Sequence, residues 1–91
     1  MSKFEVRKPH SKDKAELREV AEGLASQLSK AHGVRAAWNG DRVQIRGSGV
    51  KGELTIDESE VIVRVELGLL AMPFKSALEG EVRRYLDEFI G

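Results

Sequence analysis

Between Val34 and Leu67 the chain alternates apolar and polar residues through four short runs, and the breaks between the runs are turn sequences. Period-two alternation places every apolar residue of a run on one face of a strand. Val34, Ala36 and Trp38 alternate with Arg35 and Ala37, and Val43 and Ile45 with Arg42, Gln44 and Arg46. Val50, Gly52, Leu54 and Ile56 alternate with Lys51, Glu53 and Thr55, and Val61, Val63, Val65 and Leu67 with Glu60, Ile62, Arg64 and Glu66. Asn39-Gly40, Gly47-Ser48 and Asp57-Glu58-Ser59 separate the runs, and Asn-Gly is the preferred pair for a type I′ hairpin. Strands joined this closely are antiparallel neighbours. The feature dictates a meander with one oily face that must be covered and one charged face that water can cover.

Two segments can provide the cover. Leu17, Val20, Ala21, Leu24, Ala25, Leu28 and Ala31 recur at helical spacing, predicting a helix over about Ser11–His32. Ser11 stands at the expected N-cap, Asp13 and Glu16 complement the positive helix end, and Lys30, His32 and Gly33 mark the finish. A second helix follows Pro73, which suits the first helical position. Its broad apolar face is Phe74, Ala77, Leu78, Val82, Tyr85, Leu86, Phe89 and Ile90, with Glu79–Arg83 and Arg84–Glu88 as ion pairs on the wet side. At the start, Phe4, Val6 and Lys8 alternate with Lys3, Glu5 and Arg7 in a strand that Pro9 stops. The expected fold is α+β, in the order β-α-β-β-β-β-α: a mainly antiparallel five-stranded sheet with two helices packed on one face. The first strand is placed beside the fifth, giving the order 2-3-4-5-1, with the second strand as its alternative neighbour. Residues 1–91 fit a single domain.

Composition narrows the function. Fifteen basic residues balance fifteen acidic ones, which argues against a strong non-specific nucleic-acid binder. The absence of cysteine excludes disulfides, thiolate nucleophiles and cysteine-based metal sites, and fits a reducing cytoplasm. Met1 to Glu5 are charged from the outset, so no signal peptide is expected. No run approaches the ~18 apolar residues of a membrane span. The expectation is a cytoplasmic protein without a transmembrane segment.

Candidate chemistry is sparse. Gly47-Ser48-Gly49-Val50-Lys51-Gly52 spells a dinucleotide pattern, but that pattern needs a following helix whose amides hold the pyrophosphate. Here a strand pattern follows, so a tight hairpin is the better account. His10 and His32 flank opposite ends of one helix, about 30 Å apart at ~1.5 Å per residue, and cannot share a metal. The carboxylates fall mostly on wet faces, and the serines lack a neighbouring base. No catalytic residue, metal ligand or cofactor is therefore assigned, and an enzyme ranks last. The charged sheet face lacks the exposed aromatics of an RNA platform, so a solvated lattice of cross-strand pairs is expected there, with no nucleic-acid partner.

One segment resists a bland reading. Leu67-Gly68-Leu69-Leu70-Ala71-Met72-Pro73-Phe74 is too long and oily for an ordinary turn and has no polar cap before Pro73. The preferred, structural reading tucks Leu67, Leu70 and Phe74 under the first helix to close the core. The functional reading exposes Leu69, Leu70, Met72 and Phe74 as a binding patch for a partner or a lipid-like ligand.

These residues carry a resemblance. Phe4-Glu5-Val6-Arg7-Lys8-Pro9-His10-Ser11, Gly49-Val50-Lys51-Gly52 and the joint through Lys75 are similar, in order and over nearly the whole chain, to the polyhydroxyalkanoic acid system proteins. These are small bacterial proteins tied by gene context to polyhydroxyalkanoate storage granules. The family passes on no catalytic residue. The resemblance implies a setting in carbon storage, with granule proteins or the granule surface as partners and a location at granules. Loosely, the element order also resembles a reduced helix-grip architecture, which licenses no ligand. The first expectation is thus a non-catalytic protein acting by protein or granule interaction. The alternative is a binder of a small hydrophobic ligand between the C-terminal helix and the sheet, although so short a chain leaves no room for a large cavity. A homo-oligomer through an edge strand or the apolar patch fits either reading.

Overall fold

A computed structural model describes residues 2–47 and 49–91. Met1, in the segment read for a signal peptide, and Ser48, in the second turn, lie outside the described residues. The strands are β1 (Ser2–Pro9), β2 (Arg35–Asn39), β3 (Arg42–Gly47), β4 (Val50–Ile56) and β5 (Glu60–Leu67). The helices are α1 (Lys14–His32) and α2 (Lys75–Ile90), the second entered through a single 3-10 turn at Met72–Phe74. All pairings are antiparallel and the sheet order is β1-β5-β4-β3-β2, so the first strand sits beside the fifth as the sequence predicts.

The register aligns the inward residues into rows across the sheet. Val6, Val63, Leu54, Val43 and Trp38 form one such row, and Phe4, Val65, Gly52, Ile45 and Ala36 the next. Both helices cover this face: α1 lies over β2, β3 and β4, and α2 over β1. Leu17, Leu24, Leu54, Leu67, Val82 and Leu86 are fully buried between the layers. Arg18 of α1 stacks its guanidinium 4.2 Å from the centre of the Trp38 ring, shielding the edge strand β2.

The structure moves several boundaries. Helix α1 starts at Lys14, capped not by Ser11 but by Asp13, whose carboxylate accepts from the Glu16 N–H at 2.9 Å. Asp13 has extended backbone and an acceptor at the N3 reach, which is what a cap requires. Ser11 falls instead in the link that His10 straps down: its Nδ1 accepts from the Lys12 N–H and its Nε2 donates to the Asp57 carbonyl. Gly33 ends the helix in the left-handed region, as expected (φ 68°). The first hairpin is not type I′. Its two loop residues are Gly40 and Asp41, only Gly40 has positive φ, and type I′ needs both. The apolar face of α2 is narrower than its pattern: Leu78, Val82 and Leu86 are buried, whereas Phe74, Ala77 and Phe89 are exposed. Glu79 and Arg83 pair at 3.1 Å; Arg84 and Glu88 stay beyond ion-pair reach.

Candidate functional site

The link from β5 to α2 is fixed by its own backbone. The Gly68 N–H donates to the Gly49 carbonyl at 2.8 Å, and those of Ala71 and Met72 both donate to the Gly68 carbonyl at 3.1 Å. Gly68–Ala71 is therefore a closed turn with Leu69 and Leu70 at its tip. Leu67 and Ala71 flank the tip and are buried, at 1% and 6% exposure, while Leu69 and Leu70 are exposed to 81% and 91%. Met72 and Phe74 extend the exposed surface at 39% and 59%.

This overturns the expectation that Leu70 and Phe74 tuck under the first helix. Leu67 is buried, but the turn hands the next inward position to Ala71, whose methyl packs beside Gly49. The turn closed by the hydrogen bond between Gly68 and Ala71 carries Leu69 and Leu70 at its exposed tip. The four residues singled out by the sequence, Leu69, Leu70, Met72 and Phe74, are thus on one exposed segment.

Behind that segment lies an apolar cleft of about 320 Å³, between the end of α1, the start of α2 and the sheet. Its floor includes Ile45, Val65 and Gly52, and Leu70 and Phe74 stand among its lining residues. Gly52 makes the room. It occupies an inward position between Ile45 and Val65 and contributes no side chain, although a Cβ there would meet only ordinary contacts at 3.4–3.6 Å. The volume sits at the low end of ligand pockets, which run from roughly 300 Å³.

One polar group joins the lining. His32, in the last turn of α1, donates from Nε2 to the Glu81 carboxylate of α2 at 2.8 Å, and Gln27 donates to the same carboxylate at 3.2 Å. Burial alone would raise the Glu81 pKa. Hydrogen bonds from His32 and Gln27, with the charges of His32 and Arg84, outweigh it and hold the carboxyl below its ordinary value. Sequence spacing pairs neither helix with the other, so this tie was invisible beforehand.

The outer sheet face is only half the expected lattice. On β1 and β5, Arg7 pairs with Glu5 and Glu60, and Arg64 also reaches Glu5. Arg35, Arg42, Arg46 and Lys51, on β2, β3 and β4, have no ion pair among the described residues. Among the described residues no charged or polar side chain is buried, and no three His, Asp or Glu side chains come together as metal ligands would. His10 and His32 stand apart, each held by the contacts above. What the assembled residues can do is meet apolar matter, at the exposed turn or in the cleft behind it.

The fold and site define a small two-layer α+β protein with one open-faced antiparallel sheet and an apolar surface at one end of it. The family model described as putative polyhydroxyalkanoic acid system protein matches residues 4–90, and the chain belongs to that family. Comparison with curated proteins and with solved structures gave no match. No helix among the described residues is long and apolar enough to cross a membrane.

Proposed function

We propose that this protein is a non-catalytic component of the polyhydroxyalkanoic acid system that acts by association with the cytoplasmic granule or its proteins, through Leu69, Leu70, Met72 and Phe74. The observation that carries this reading is the pair of adjacent leucines, 81% and 91% exposed on a turn whose flanks are anchored. Single exposed apolar residues are common, but four within six positions, on a segment with a fixed backbone, form a ready contact surface. Membership of the polyhydroxyalkanoic acid system family supports a role for such a contact in that system. The test is co-sedimentation with isolated granules of the wild-type chain and of Leu69→Asp and Met72→Asp variants. Loss of association in variants that keep the wild-type circular dichroism is expected; undiminished association would remove this segment from the account.

The cleft supports a second reading, a binder of a small hydrophobic ligand. Its 320 Å³ would accept a short acyl chain, with His32 at one wall to meet a polar end. Gly52→Val should fill the floor without touching the exposed turn. Titration with a short-chain fatty acid, followed by tryptophan fluorescence or calorimetry, should give saturable binding that Gly52→Val abolishes. Saturation unchanged by that substitution would rule the cleft out as the site.

A further inference from the structure

The register of the sheet places like charges side by side at the same end as the exposed turn. Across the outer face, Lys3, Glu66, Lys51, Arg46 and Arg35 stand in one row, so that four cations share one carboxylate. Arg46 faces Lys51 on one side and Arg35 on the other. Like charges directly opposite on antiparallel strands repel, and the fold keeps three of them in sequence with no ion pair among the described residues. All three are exposed. Arg46 and Lys51 line one side of an open outer groove of about 670 Å³, which Glu5, Glu53 and Glu66 line as well.

The row and the turn are also close. Lys51 lies two residues along β4 from Gly49, whose carbonyl holds Gly68 at the base of the turn. At about 3.4 Å per residue that sets the cations roughly 7 Å behind the point where the leucines project. An apolar tip with cations one step behind it matches the layering of a lipid interface, where apolar groups sink about 5–10 Å and basic side chains remain at the headgroups.

We infer that the surface entered by Leu69 and Leu70 is an anionic lipid layer, and that Arg35, Arg46 and Lys51 bind its headgroups. This rests on the reading of the exposed turn as the contact surface, and it adds the chemistry of the partner. An acidic protein would satisfy the cations as well, but an apolar tip with cations set behind it along the strand direction has the depth order of a lipid interface. The net charge of zero is no obstacle, because adsorption depends on the charge within a Debye length of the surface.

The experiment is co-sedimentation of the full chain with vesicles of phosphatidylcholine alone and of phosphatidylcholine and phosphatidylglycerol in equal parts. Binding is expected only to the anionic vesicles, weakening as salt is raised. Each cation at such a surface strengthens adsorption about fivefold, so Arg46→Gln with Lys51→Gln should weaken it roughly 25-fold. Arg7→Gln with Arg64→Gln removes as much charge from the paired half of the face and should change it far less. Equal binding to both vesicle types, equal loss in the two double variants, or no vesicle binding by the folded chain would each overturn the inference. The granule experiment with Leu69→Asp reads the turn independently: granule association that depends on Leu69, without vesicle binding, would leave the turn as a contact and point to an acidic protein as its partner.

Discussion

Glu81 is the carboxylate through which the two helices are tied by polar contacts. It accepts from His32 and Gln27 of α1 while sitting on α2, with only a fifth of its side chain exposed. Its pKa is held below the ordinary value, so the charged form is stabilised by folding. That contribution is complete above the ordinary carboxyl pKa of about 4.3 and disappears as pH falls through the lower folded value. Glu81→Gln keeps the shape and one acceptor but loses the charge. Urea denaturation should show it less stable than wild type by about 1 kcal/mol at pH 7, with the difference closing below about pH 4. A difference that stayed constant from pH 7 to pH 3 would assign the effect to packing. The sequence offered no route to this pair. His32 was legible as a cation at a helix terminus, but Glu81 is 49 positions away, and periodicity does not say which side chains of two helices meet.

At the scale of elements, α1 and α2 pack closely because Gly23 lets Tyr85 in. A Cβ at Gly23 would fall 2.0 Å from the Tyr85 hydroxyl and 3.3 Å from its ring carbon. Alanine is intrinsically better than glycine in a helix by about 1 kcal/mol, so the sign of Gly23→Ala depends on what Tyr85 does. In the wild-type background the clash should win and lower stability by about 1 kcal/mol. With Tyr85→Phe, which removes the atom at 2.0 Å, the same substitution should be neutral or stabilising by up to about 1 kcal/mol. Thermal denaturation of the four chains measures this coupling; the same sign in both backgrounds would mean that the helices separate to accommodate the methyl. The elements themselves were largely legible in the sequence. Alternation and short turns fix the meander, and the charged outer face forces both helices onto the other side. What alternation does not carry is the fate of a non-periodic segment. Leu70 and Phe74 looked like core residues because they are apolar, and their exposure follows from two hydrogen bonds to the Gly68 carbonyl and the burial of Ala71. The cap shifted from Ser11 to Asp13 for a similar reason: both are good caps, and the choice is made by the strap from His10 to Asp57.

Over the whole molecule, zero net charge conceals an uneven distribution. The β1–β5 half of the outer face is closed by ion pairs around Glu5, whereas the β2–β4 half holds Arg35, Arg46 and Lys51 next to one another. A sheet selected for stability alone would alternate the signs along that row, since each opposite-charge pair adds roughly 0.2–1 kcal/mol and each like pair subtracts a similar amount. Arg46→Glu performs that alternation, placing a carboxylate between two cations at an exposed site where the backbone is already extended. It should raise the stability of the free protein by about 1 kcal/mol in low salt, and by less as salt screens the row. The same substitution reverses the charge at the centre of the row and should abolish adsorption to anionic vesicles. Measured together, a stability gain and a binding loss would show that the row is maintained at the expense of the fold, as expected of residues that serve a partner. Reduced stability would instead show that Arg46 is already satisfied within the chain, and that the repulsion inferred from the register is not felt.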